Sequence, residues 1–158
     1  MGDRFQRMRL PALPTVLFAD AGEDYRAMAR DALLEGRHAT DLRTATDGPD
    51  VVAYLQRSGR WAEAVAPRPT LIVLDADLPG DPGGLELVNT LKSNPAFSRI
   101  PVVVLGRDDD PAAVDRAYAA GANTYFVKPV TFLALVKLVK VFTEYWLETA
   151  ELPPGETA

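Results

Sequence analysis

The sequence predicts an α/β fold, a (βα)5 doubly wound parallel sheet in a single domain. Three observations carry this. Continuous apolar runs of strand length stand at residues 15–19, 71–74 and 100–105, the pattern of strands buried on both faces of a parallel sheet. Each run is followed by a stretch with helical apolar spacing, as in right-handed β-α-β crossovers. The length, 158 residues, fits one domain.

The elements follow in order. Thr15-Val16-Leu17-Phe18-Ala19 forms the first strand and ends at Asp20. Tyr25, Met28, Ala29, Ala32 and Leu33 recur at helical spacing, and Gly36 stops that helix. A weaker strand covers residues 40–45. Asp47-Gly48-Pro49 opens the second helix, with proline suited to a first turn and Val51, Val52 and Leu55 facing inward. Residues 58–69 form a long connection rich in Gly, Pro and Ala. Leu71-Ile72-Val73-Leu74 is the strongest strand and ends at Asp75. A Pro/Gly-rich loop, 78–84, leads to a helix over 85–93 that Asn94-Pro95 stops. The fourth strand is 100–105. Asp110-Pro111 reads as an N-cap followed by proline at the first helical position, and Gly121 ends that helix. The fifth strand spans 124–127, and the last helix 132–147. Residues 1–14 are a basic N-terminal arm, 15–150 the domain, and 151–158 a C-terminal tail.

With 47% hydrophobic and 25% charged residues, the composition is that of a globular protein. The absence of cysteine excludes disulfides, thiolate zinc sites and a cysteine nucleophile. A single histidine, His38, disfavours histidine-rich metal sites and a Ser-His-Asp triad. A net charge of −5 argues against nucleic acid as a partner. No apolar run is long enough for a bilayer, and no secretory h-region follows Arg4, Arg7 and Arg9. The expectation is a cytoplasmic protein without a membrane partner.

In open α/β sheets, ligands bind at the carboxyl ends of the strands. Those ends carry Asp20, then Asp75 with Asp77 beyond it, then Gly106-Arg107-Asp108, then Lys128-Pro129. Singly, each has an ordinary reading: an acid after a strand often forms a turn or caps a helix, and a strand-end lysine is usually solvated. Together they imply more. If strands one and three are neighbours, Asp20 and Asp75 share one crevice, and two carboxylates stay ionised there only with a cation between them. Oxygen ligands of this kind suit Mg²⁺. With Lys128 adding a second positive charge, the site suits a phosphoryl group, which an aspartate can accept.

At these residues the chain resembles the receiver domain of two-component response regulators. The matching stretches are Val16-Leu17-Phe18-Ala19-Asp20, Leu71-Ile72-Val73-Leu74-Asp75-Ala76-Asp77-Leu78-Pro79-Gly80, Ile100-Pro101-Val102-Val103-Val104-Leu105 and Gly121-Ala122-Asn123-Thr124-Tyr125-Phe126-Val127-Lys128-Pro129. The resemblance implies the flavodoxin-like strand order 2-1-3-4-5. It implies that Asp75 is the phosphoacceptor, and that Asp20, Asp75 and the backbone carbonyl of Asp77 hold Mg²⁺. It implies that Lys128 contacts the phosphoryl oxygens, that Pro129 follows a cis bond and that Tyr125 is an aromatic switch. The segment 145–154 and the long connection at 58–69 resemble stand-alone regulators paired with bacterial phytochrome histidine kinases, which implies such a kinase as partner. With no output domain beyond the tail, output would run through protein partners, with no independent substrate turnover.

Three departures stand out. Ala19 replaces one acid of the usual pair, a loss that Asp77 would partly offset. Gly106 stands at the phosphate-contacting position where a hydroxyl residue is usual. The loop Asp81-Pro82-Gly83-Gly84 is one residue longer than usual. They motivate an alternative, a pseudo-receiver that binds partners without phosphate. The Asp75-x-Asp77 spacing motivates a second, a phosphatase, although such enzymes carry that pair on their first strand. The last helix shows two apolar stripes: Phe132, Leu135, Val136, Val139, Phe142 and Trp146 on one, and Ala134, Leu138, Val141 and Tyr145 on the other. One stripe suffices to cover a sheet, so the second is expected to form a homodimer contact or to pack under the tail.

Overall fold

A computed structural model describes residues 13–37 and 39–149. Most of the predicted N-terminal arm, the C-terminal tail and His38 lie outside the described residues. Strands β1 (Thr15–Ala19), β2 (Asp41–Ala45), β3 (Leu71–Asp75), β4 (Val102–Gly106) and β5 (Thr124–Val127) form one sheet in the order β2-β1-β3-β4-β5. Every pairing is parallel. Between them run α1 (Glu23–Glu35), α2 (Gly48–Gln56), α3 (Gly84–Ser93) and α4 (Pro111–Ala120), and α5 (Phe132–Thr143) follows β5.

Side chains alternate across a strand, so each central strand feeds two cores. Leu17, Ile72, Leu74 and Val104 pack with Val51, Leu87 and Val88 on one face. Val16, Phe18, Val73, Val103 and Leu105 pack with Ala29, Ala32, Leu135, Val139 and Phe142 on the other. Burying each large side chain stabilises the fold by about 1.5–3 kcal/mol. The helix starts read from sequence are realised by side-chain caps: Asp47 accepts from Asp50 N, and Asp110 from Ala112 N. Gly121, at φ 111°, ends α4 in the left-handed region where a side chain would be strained.

Residues 58–69 are more structured than their composition suggests. A 3₁₀ turn, Gly59–Trp61, folds back on α2. Trp61 is buried edge-on against Tyr54, with ring centroids 4.8 Å apart. Asp50 gathers this flap: it accepts two hydrogen bonds from Arg60 and one from Trp61 Nε1. Burial pushes the Asp50 carboxyl up, but these hydrogen bonds outweigh it and hold the group below its ordinary value.

Three element expectations need correction. The fourth strand begins at Val102, because Pro101 has no N–H to give to the ladder. The last helix is regular only to Thr143 and continues as a π-turn over Glu144–Thr149. Thr143 Oγ1 donates to the carbonyls of Val139 and Lys140 at 2.7 and 3.2 Å, competing with backbone donors at that point. Phe132, read as part of the inner stripe, is 41% exposed. It is the first residue of α5, a turn before Leu135 reaches the core.

Candidate functional site

The register aligns the carboxyl ends of four strands: Ala19 pairs with Leu74, Asp75 with Leu105, and Gly106 with Val127. Residues just past these pairs therefore meet at one crevice. Asp20 is 4% exposed. Lys128 Nζ lies 2.7 Å from Asp20 Oδ2 and 3.0 Å from Asp75 Oδ2. The other oxygen of each acid takes a backbone donor two residues on: Gly22 N to Asp20 Oδ1 at 2.8 Å, and Asp77 N to Asp75 Oδ1 at 2.9 Å. Arg26 donates to the Asp20 carbonyl at 2.8 Å, tying α1 to the same corner. Both carboxylates are thus fixed by a local turn and aimed at one ammonium. Partial burial lowers the Lys128 pKa, but hydrogen bonds to Asp20 and Asp75 outweigh it and hold the group above the ordinary lysine value.

Tyr25 of α1 closes one side. Its ring centroid lies 4.2 Å from Lys128 Nζ, and its hydroxyl donates to the Pro129 carbonyl at 2.8 Å. Burial pushes that hydroxyl up to about 12. The chain passes this point with a trans peptide. The expected cis bond before Pro129 is not formed, and the cis X-Pro bond among the described residues is Asp81–Pro82. In the trans form, Lys128 N donates to Gly106 O at 2.7 Å, while Pro129 O receives Tyr25.

The β4 side is built differently. A Cβ placed on Gly106 would lie 1.8 Å from the Tyr125 hydroxyl oxygen and 2.2 Å from its Cζ. The tyrosine ring thus occupies the space a side chain at 106 would need. Its hydroxyl donates to the Asp108 carbonyl at 2.6 Å. Burial, followed by the charge of Asp108, raises the Tyr125 pKa. Beside it, Arg107 pairs with Asp77 at 3.2 Å, both side chains well exposed.

The donor set suits a hard divalent cation bound through few protein ligands. Asp20 and Asp75 present oxygens to one point, and Mg²⁺ commonly takes one or two carboxylates with water. A larger acidic cage is absent: among the described residues no group of three or more His, Cys, Asp or Glu converges. Ala19 packs into the core with Leu17 and Ala45. The Asp77 carboxylate, expected to offset the lost acid, pairs with Arg107 at 3.2 Å, both side chains in solvent.

Sequence reasoning brought together Asp20, Asp75 and Lys128. It missed Tyr25, whose spacing reads simply as an inward helix position, and Arg107, whose only signal is a cation next to Gly106. On the last helix, Ala134, Val141 and Tyr145 are exposed, while Leu138 is half-buried against the core.

A family model of the response regulator receiver domain matches residues 16–140. The response regulator Rcp1 of Synechocystis sp. is 34% identical over 143 residues, 90% of this chain and 95% of Rcp1. The Mn(2+)-bound form of Rcp1 superposes with a TM-score of 0.77 at 31% identity, covering 89% of this chain and 99% of Rcp1's. The phosphorylated cyanobacterial phytochrome response regulator RcpA gives a TM-score of 0.80 at 32% identity, covering 90% of this chain and 100% of its own.

Proposed function

Because this chain belongs to the response regulator receiver domain family, we propose that it accepts a phosphoryl group on Asp75 from a phytochrome-type sensor histidine kinase. The observation that carries this reading is the single ammonium, Lys128, within 3.0 Å of two acids from separate strands. The kinase class is supported by the relatives: RcpA is a phytochrome response regulator and is phosphorylated. Output then runs through protein partners, with no independent substrate turnover.

In the transfer, a carboxylate oxygen of Asp75 forms the new O–P bond while the N–P bond of the donor phosphohistidine breaks. The electron pair leaves with the imidazole, which takes up a proton. Lys128 turns from the Asp75 carboxylate to the phosphoryl oxygens, where its charge offsets that of the transfer. Asp20, Asp75 and the Asp77 carbonyl would hold Mg²⁺, which when bound neutralises part of the phosphoryl charge. Tyr125, above Gly106, is the switch residue of this reading, biasing a two-state element that includes β4, α4 and β5. The exposed face bearing Ala134, Val141 and Tyr145, with Leu138 at its edge, is the homodimer contact. The net charge of −5 fits protein partners rather than nucleic acid, and no described helix is long and apolar enough to cross a membrane. A cytoplasmic location follows from the kinase-partner reading.

The test is transfer from an autophosphorylated phytochrome histidine kinase in Mg²⁺, read by intact mass. The wild-type chain gains one phosphoryl group and Asp75→Asn gains none; equal label in both would reject Asp75. Ala19 and Gly106 favour a second reading, a pseudo-receiver that works without phosphate. On that reading Asp75→Asn binds its partner as tightly as wild type after kinase treatment, and a large loss of affinity would remove it.

A further inference from the structure

Lys128 must change partners in the proposed transfer, and one of its partners has no reason to change. The ammonium now bonds to Asp20 Oδ2 at 2.7 Å and Asp75 Oδ2 at 3.0 Å. A divalent cation and an incoming phosphoryl group would compete for those same oxygens. With Ala19 in the core and the Asp77 carboxylate on Arg107, no group of three acids converges among the described residues to keep the lysine in place. The third partner is the face of Tyr25, 4.2 Å from Nζ. That contact uses the ring quadrupole rather than a lone pair, so neither metal nor phosphate competes for it.

The ring is held independently of the charges. It stacks on Phe18 at a centroid distance of 6.1 Å and an interplanar angle of 23°. Its hydroxyl bonds to the carbonyl of Pro129, the residue after Lys128, 104 positions along the chain. Because burial keeps that hydroxyl protonated far above neutral pH, it remains a donor. Phe18 and the Pro129 carbonyl thus clasp the Tyr25 ring against the Lys128 ammonium.

We infer that Tyr25 is a positioning residue for Lys128: its ring face keeps the ammonium in the crevice while Asp20 and Asp75 pass to the cation and the phosphoryl group. The functional half of this inference rests on the phosphotransfer reading; the contact itself does not.

The experiment separates the two. In the full chain with ¹⁵N-labelled lysine, Lys128 Nζ is titrated by NMR with and without Mg²⁺. Position 25 carries Tyr, Phe, pentafluorophenylalanine or Trp. Fluorination keeps the ring's shape and removes its negative face, so a merely structural role predicts no change. We expect Tyr25→Phe to stay within about twofold of wild type in proton affinity at Lys128. Pentafluorophenylalanine loses about fivefold and Trp restores it, the range of a partly buried cation–π contact. The rate of labelling by phosphoramidate follows the same order. Equal Lys128 titration in the Phe and pentafluorophenylalanine proteins overturns the inference. So does a loss in Tyr25→Phe as large as that on fluorination, since the hydroxyl tether would then be the cause. A wild-type chain that takes no phosphoryl group sinks the phosphotransfer reading, and the Nζ titration still decides the clasp.

Discussion

The two flanks of Asp75 use opposite means. Toward β1, charges are sheltered: Asp20 is nearly inaccessible, and Lys128 is held by two carboxylates and an aromatic face. Toward β4, the strand end has no side chain at Gly106, and the nearby pair Arg107–Asp77 sits in open solvent with side chains 81% and 60% exposed. Electrostatic interactions are strong only where water is excluded. On the phosphotransfer reading proposed above, binding and transfer would rest on the β1 flank, and the β4 flank would respond by packing, through Tyr125 over a glycine.

Substitutions on the two flanks should therefore differ in size and kind, and the sheltered flank should yield the largest effects. Lys128→Ala is expected to slow phosphorylation of Asp75 by small phosphodonors about 10²–10³-fold, as for loss of one fixed electrostatic donor; quenched-flow mass spectrometry measures it. Asp20→Asn should weaken divalent-cation binding about 10–100-fold, the size of an interaction with a charged partner; calorimetric titration with Mg²⁺ or Mn²⁺ measures it.

On the other flank the effects should appear in stability. Gly106→Ala drives a methyl group into the Tyr125 hydroxyl, and overpacking of this kind costs about 1–3 kcal/mol. Pairing it with Tyr125→Ala should recover most of that loss in a denaturant double-mutant cycle; additive losses would show that the two do not share the space. Arg107→Ala should cost less than about 1 kcal/mol and leave phosphorylation nearly unchanged, since its ion pair is solvated.

The flanks also separate by pH. Lys128 has its folded pKa raised above the ordinary 10.5, so its stabilising contribution is fully present below 10.5 and is lost as pH climbs through the higher folded value. Stability curves of wild type and Lys128→Met should therefore run parallel through neutral pH and converge only in strong alkali.

Legibility in the sequence followed the same division. Asp20, Asp75 and Lys128 could be read because a parallel sheet gathers its strand ends, and apolar runs mark those ends without any tertiary knowledge. The caps at Asp47 and Asp110 were equally readable, being local. Tyr25 was not: its contact with Pro129 spans 104 residues, and its spacing in α1 is that of any inward position. Gly106 could be read as a missing hydroxyl, but not as room for Tyr125, because that depends on how β4 and β5 lie side by side. Trp61 was hidden in a loop-like composition, and the site that buries it is assembled by Asp50 from another element. The passage of the last helix into a π-turn after Thr143 was not readable, because nothing in the sequence pattern marks which threonine bonds its own backbone.

Three remote chain segments meet around Asp75 in the pocket proposed to accept a phosphoryl group. Incubation with phosphoramidate and Mg²⁺, followed by peptide mapping with mass spectrometry, tests that proposal most directly. The expected result is a single phosphoryl group on the peptide containing Asp75, absent from Asp75→Asn and from samples stripped of divalent cation. A modification at any other residue, or none in the wild-type chain, would contradict it.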